Sequence, residues 1–504
     1  MSTPRTLVAM VALALAAVTA SIPVSAATGL QRGFEAALAA EHWDAAARLA
    51  DSLVRAREVR GGLSGVAAAT LFDSLGRRIF MAGTPDAMTA AERLFRAGLA
   101  RRERALGPDD LAVANSLATL ATLLDYLGRW AEAVPLAKRA LAIREQQLGE
   151  RRAETASILR QLGLLQFQLG AYESAARPLE RSAAIYDTLG AGFEARAADA
   201  RNNLGELARV RDRLDEAEAQ FQRGLAIARA RLPAGDPIRL ALANNLAGLF
   251  KDVARFDEAE PLLEDVLAIL EAAGDDREAL ATARLNLAEV LRLQGRASAA
   301  APFYARGLDE ARATLGAEHP GLVPFLNQSA VCEQALGAFA RAESLYLESG
   351  RIVVATLGRE HPLVAQNLSD LAGLRRAAGR VPEADSLLRI ALALRERALG
   401  RAHPDVALVL VELARTRAEA DRDFEVPLGR AIAILDSTRA YPDARLDAYA
   451  LRAEWNARHG RRTAAIADMG RVLTAMDSLR LQRGGGDETR TAFLAARARA
   501  RGSR

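Results

Sequence analysis

Cysteine, lysine and aromatic residues are scarce in this chain. Its single cysteine, Cys332, excludes an intrachain disulfide, so packing alone must hold the fold together. Lys138 and Lys251 are the only lysines, and the rest of the 67 basic residues are arginine. Aromatics make up 5% of the sequence, too few for the stacking platforms that bind single-stranded nucleic acid. The net charge is +4 and the two signs are interspersed, so no basic stretch marks a nucleic-acid surface. An alanine- and arginine-rich, lysine-poor composition points to a GC-rich bacterial genome. With 50% hydrophobic and 26% charged residues the chain is globular, and its dominant residue types favour helix.

Long apolar runs are also missing once the N-terminus is passed. The first 26 residues carry Arg5, an apolar run from Leu7 to Ala20, and the small-residue pattern Val24-Ser25-Ala26. This spacing predicts a cleaved secretory signal, with cleavage between Ala26 and Ala27. The run is shorter than the roughly 20 residues that a membrane-spanning helix needs. The mature chain is therefore expected to be exported, to the periplasm or beyond, with no membrane span and a net charge of +3 once Arg5 is removed. No G-x-S-x-G, H-E-x-x-H or phosphate loop is present. The stretch RGGGDE at 483–488 follows no strand and reads as a linker. No catalytic residue, metal ligand or cofactor is expected.

What the chain does have is a period. Leucine–glycine pairs fall at Leu106-Gly107, Leu148-Gly149, Leu189-Gly190, Leu315-Gly316, Leu357-Gly358 and Leu399-Gly400, and Leu232-Pro233 and Ala273-Gly274 fill the middle, in steps of 41 to 43 residues. Between them lies a second marker: Gly128, Gly170, Gly295, Gly337 and Gly379, with Asp212 and Ala254 in the same place in two repeats. Seven residues before this turn every residue is small, as at Ala121, Gly163 and Ala288. Five residues after it stands alanine: Ala133, Ala175, Ala217, Ala259, Ala300, Ala342 and Ala384. Small residues at both places let two helices cross closely. The unit is a helix–turn–helix hairpin, and repetition near 42 residues predicts a solenoid.

The columns also explain three regularly spaced histidines, His319, His361 and His403. Each precedes a proline where a first helix begins, and Asp236-Pro237 takes the same place in another repeat. A position filled by His or Asp before Pro is a helix cap. Hairpins about 10 Å apart would place the three rings too far from one another for a single metal ion. Cys332 falls in a column otherwise filled by leucine or valine and is expected to be core.

The Leu-Gly pair, the turn glycine, the aromatic two residues after it (Trp130, Tyr172, Phe256, Phe339) and the alanine beyond resemble the tetratricopeptide repeat. The longer unit, with LG-x-x-HP between hairpins, resembles its kinesin-light-chain form. The resemblance implies an all-α, right-handed solenoid of stacked antiparallel helix hairpins, ten or eleven in number. The expected divisions are a signal over 1–26, degenerate capping hairpins over 27–84, regular units over 85–440, a degenerate capping hairpin over 441–482, and a Gly-rich linker with a short basic helix over 483–504. The tail from Asp487 resembles the helix that joins such repeats to caspase-like CHAT peptidase domains. A regulatory half or remnant of such a peptidase system, or an unrecognised hydrolase, is therefore the alternative to a non-enzymatic scaffold. A purely structural spacer is a third reading.

One column is polar throughout. Nine residues before the turn stand Thr119, Gln161, Asn203, Asn245, Asn286, Gln328, Asp370 and Glu412, with Asn202, Asn244 and Asn327 beside it. The run resembles the asparagine ladder with which superhelical repeats of this family, including kinesin light chains and O-GlcNAc transferase, hold extended peptides. An amide offers both donors and acceptors, so it can pair with any peptide backbone. The same amides could instead bond backbone within the solenoid. Six residues further along lies a basic column, Arg209, Lys251, Arg292 and Arg376, which would favour acidic ligands unless Glu206 and Glu289, three residues before Arg209 and Arg292, neutralise it. The expected partner is a peptide or protein lying in the groove that the first helices line.

Overall fold

A computed structural model describes residues 26–483, apart from 60, 61, 275, 421, 439 and 440. The expected signal before Ala26 and the expected linker and basic helix from 484 onward lie outside the described residues, and Ala26 and Ala27 open the first described helix. Every regular element among the described residues is helical: 22 α-helices in consecutive pairs, and one 3-10 turn at Pro320–Leu322. None of these helices is long and apolar enough to cross a membrane. The chain forms two compact units. One comprises residues up to 211 together with 223–233, and the other 212–222 together with 234 onward.

The hairpin Leu111–Tyr126 with Trp130–Leu148 shows how the sequence builds a unit. Asp110 caps the first helix, its carboxylate accepting from the Ala112 N–H at 2.7 Å. Leu117, Leu120 and Leu124 recur at helical spacing and are fully buried, contributing about 1.5–3 kcal/mol each. The helix stops because Gly128 adopts φ 69°, a conformation that costs glycine little. Trp130 starts the return helix, which crosses the first at the fully buried Ala121 and Ala133. The whole alanine column, from Ala133 to Ala384, is fully buried. At Gly163 the crossing is tighter, since a Cβ there would lie 2.5 Å from the Leu179 side chain.

The histidines cap. His319, His361 and His403 precede their prolines in extended conformation, and each Nδ1 accepts the N–H two residues on at 3.1–3.2 Å. Asp236 makes the same contact with the Ile238 N–H at 2.9 Å. Cys332 is buried among core residues and its Sγ faces the Ala297 carbonyl at 3.5 Å.

Within each unit, second helices pack on the first helix of the next hairpin. Arginines near the ends of second helices reach across this seam. Arg102 joins Asp73, at 2.8 Å, to Ser116 of the following hairpin. Burial raises the Asp73 carboxyl above its ordinary range, against the pull of Arg102. Arg144, in the equivalent place, donates to the Glu154 carbonyl at 2.7 Å and to Asn115 at 2.9 Å. Arg395 does the same with the Asp405 carbonyl at 3.0 Å and with Gln366. Partly or mostly exposed ion pairs such as Arg296–Glu260, Arg312–Glu348 and Arg397–Glu360 join residues 36 or 37 apart on neighbouring hairpins, each worth little alone.

The boundary expected at 84–85 falls inside a hairpin. Gly65–Phe80 pairs with Pro85–Leu106, and the Thr84 hydroxyl in the turn between them accepts the Ala87 N–H at 3.2 Å.

Candidate functional site

The polar column runs along the first helices, and its members are half-buried or lie near the surface. In the N-terminal unit the Thr119 hydroxyl donates to the Asn115 carbonyl of its own helix at 2.9 Å. Gln161 donates its amide to the Ala118 carbonyl at 3.1 Å and to the Thr122 hydroxyl at 2.8 Å, which ties its hairpin to the preceding one. Asn203 differs: its Nδ2 is buried without a hydrogen-bond partner, and Asn202 beside it is half-buried.

In the C-terminal unit the Asn244 amide donates to the Leu240 carbonyl at 3.1 Å, and the Asn286 amide donates to Asn244 Oδ1 at 3.3 Å. Asn245 is half-buried next to them. Asp370 accepts from Gln366 at 2.9 Å. The adjacent Asn327 and Gln328 each keep a buried carbonyl oxygen without a hydrogen-bond partner. Ser329 follows, 6% exposed, and its hydroxyl is likewise buried and unpaired. A buried polar atom without a partner costs about 1–3 kcal/mol; Asn327 and Gln328 belong to the half-buried polar columns, whereas Ser329 stands in the buried core column. Ser329 was not among the expected site residues, but its signal is in the sequence. It stands eight residues before the turn, where other repeats hold Leu120, Leu162, Leu204, Leu246, Leu287 and Leu371.

The basic column is matched by acids. Arg209 meets Glu206 at 3.0 Å, the local pair that its spacing predicts. Arg292 does not use Glu289 in this way. Glu289 accepts from Lys251 of the preceding hairpin at 2.8 Å, because the two first helices lie side by side. Arg292 instead lies by Tyr304, whose hydroxyl burial pushes up to about 12 although the guanidinium favours the phenolate. Arg376 reaches the next hairpin at Glu419, 2.6 Å away, and Glu412, 3.7 Å away. The column is therefore largely neutralised, and the amides give the face its character.

Models of the tetratricopeptide repeat match residues 87–146, 126–188, 196–272 and 239–313, and, in a second form of the repeat, 364–405. The matched stretches cover just over half of the chain. Comparison with curated proteins finds no match. Among solved structures, two of a Podosopora anserina putative kinesin light chain with nearly identical TPR-like repeats are 27% and 28% identical to this chain. They align with 40% of it and with 97% and 98% of their own length, each at a TM-score of 0.36. The apo form of the quorum sensor NprR from B. thuringiensis aligns with 69% of this chain and 97% of its own, at 14% identity and a TM-score of 0.50. The apo form of RapI aligns with 74% of this chain and 98% of its own, at 11% identity and a TM-score of 0.52. NprR and RapI share the fold. With its 42-residue columns, buried crossing alanines and capped hairpins, the chain belongs to the tetratricopeptide-repeat family and has its all-α solenoid fold of stacked helix hairpins.

Proposed function

We propose that this chain is a non-enzymatic scaffold which holds an extended peptide, or an extended segment of a partner protein, along the polar column of its first helices. The observation that carries this reading is the half-buried amide pair Asn327 and Gln328 in that column and beside it, each with a side-chain oxygen that lacks a partner. Asn203, with its unpaired Nδ2, supports the same reading in the N-terminal unit. Neighbouring hairpins lie about 10 Å apart, close to three residues of extended chain at roughly 3.3 Å each. A bound strand would thus meet one hairpin every third residue. Amides read backbone rather than charge, and the acids matched to Arg209, Lys251 and Arg376 leave little preference for an acidic ligand. The scaffold works outside the cytoplasm if the pattern up to Ala26 is a cleaved signal, and N-terminal sequencing of the purified protein should then start at Ala27.

The test uses an array of random 12-residue peptides, with affinities of the captured sequences measured by fluorescence anisotropy. Replacing Asn327 and Gln328 together by alanine should weaken binding by about 1–3 kcal/mol, or roughly five- to 150-fold. Thermal stability should hold or rise, because buried groups without partners are removed. Unchanged affinity in the folded variant would place the ligand elsewhere. Turnover in a hydrolase screen that a single substitution abolishes would overturn the scaffold reading itself.

A further inference from the structure

One cation of the basic column meets no acid. Arg209 pairs with Glu206 of its own helix, Lys251 with Glu289 of the next hairpin, and Arg376 with Glu412 and Glu419 of the next hairpin. In the hairpin after Arg292, the places that correspond to Glu289, Glu412 and Glu419 hold Val331, Gln328 and Ala335, none of them charged. Glu289, three residues before Arg292, is taken by Lys251 at 2.8 Å. Glu333, which like Arg292 acts on the Cys332 thiol, lies 3.1 Å from Arg341. Among the described residues no acid comes within ion-pair distance of Arg292. The side chain is partly exposed, yet its Nε is buried without a hydrogen-bond partner. Beside the guanidinium lies the hydroxyl of Tyr304, a residue 2% exposed, and it too is buried without completing a hydrogen bond.

We infer that Arg292 takes one carboxylate from the bound peptide, an aspartate or glutamate side chain standing in for the acid that the other cations of the column already have. The inference rests on the scaffold reading and adds a charge preference at one place along the column. Charge fixes the class of the ligand group. With Lys251 matched to Glu289 and Arg341 to Glu333, one positive charge is left, and one negative charge cancels it. Tyr304 supplies no competing anion, because burial pushes its hydroxyl up to about 12. A phosphate carries close to two negative charges at neutral pH, and would leave the site net negative beside Glu289. The planar fork of a guanidinium also matches the two oxygens of a carboxylate. The group is a side chain and not a chain end. Amides stand on both sides of Arg292, at Asn244 and Asn286 before it and at Asn327 and Gln328 after it, so a strand held by them passes Arg292 in both directions.

The test uses the full chain and the peptides captured from the random array, which should share one aspartate or glutamate. Replacing that residue by asparagine or glutamine should weaken binding to the parent about ten- to 150-fold. On Arg292→Gln the same replacement should change affinity less than about twofold, with helical circular dichroism like the parent's. Val331→Glu is a second route. It supplies the acid that Lys251 already has opposite it, in a column that holds Glu206 and Glu289 in other repeats, and should remove the same preference with Arg292 in place. A shared acid whose replacement costs as much on both variants as on the parent overturns the inference. So do captured peptides that need no acid, and peptides that weaken on amidation of the C-terminus and not on replacement of a side chain. If such peptides still weaken when Asn327 and Gln328 are replaced, the scaffold reading stands and only the charge preference falls. An array that captures nothing overturns both.

Discussion

The side-chain amide of Asn286 donates to Oδ1 of Asn244, 3.3 Å away and 42 residues earlier, so one rung of the polar column fastens a hairpin to the hairpin before it. A double-mutant cycle with Asn244→Ala and Asn286→Ala should return a coupling of about 0.5–1.5 kcal/mol in urea unfolding. A coupling of zero would mean that the two amides do not support each other in solution.

Ala254 and Asp212 occupy the turn that glycine fills in other repeats, at φ 61° and 58°. A side chain there costs roughly 1–2 kcal/mol, partly offset by the greater freedom glycine has when unfolded. Ala254→Gly should therefore stabilise by about 0.5–1 kcal/mol. Gly337→Ala should destabilise by a similar amount, purely through the backbone, since a Cβ at Gly337 would touch nothing within 4 Å. Equal melting temperatures for all three proteins would show that this turn stores no strain.

Ala342 is fully buried at a helix crossing. Leucine in its place should overpack the crossing and cost about 1–3 kcal/mol. Leucine at the exposed Ala340, two residues away, should change stability by less than about 0.5 kcal/mol. If Ala342→Leu melts with the parent, the crossing is looser than its burial implies.

Burial pushes the Cys332 thiol from 9.0 up to about 11. The folded chain therefore favours the protonated thiol. The stability this group contributes is fully present below pH 9.0 and is lost as pH rises from there towards about 11. At pH 8 the native chain should react with a thiol-specific disulfide reagent at least about a hundredfold more slowly than the urea-unfolded chain, because attack needs an exposed thiolate. Equal rates would mean that Cys332 is open to solvent.

The hairpins were legible because each column is sampled many times. Alanine at 133, 175, 217, 259, 300, 342 and 384 reports one packing constraint seven times over. The histidine caps were legible because Asp236 stands in the same column with the same proline after it. The partner of Glu289 was not. Spacing along one helix pairs it with Arg292, but Lys251 approaches from the neighbouring hairpin, and only the stacking of first helices reveals that approach. The amides were legible as a column but not in their bonding. Gln161 and Asn286 turn to a neighbouring hairpin, Asn244 turns to its own helix, and Asn327 and Gln328 keep buried oxygens unpaired. Ser329 in a leucine column was a visible clue to the last of these.

Contacts between adjacent hairpins also set the timescale on which the chain assembles. The ion pair of Arg296 with Glu260 closes a loop of 36 residues, and the hydrogen bond from Gln161 to the Ala118 carbonyl closes one of 43. Loop-closure entropy rises only with the logarithm of loop length, and here the loop stays the same from one repeat to the next. The search that slows folding in proteins with distant contacts therefore does not grow with the number of repeats. Any hairpin that finds its neighbour can serve as the nucleus from which order spreads in both directions.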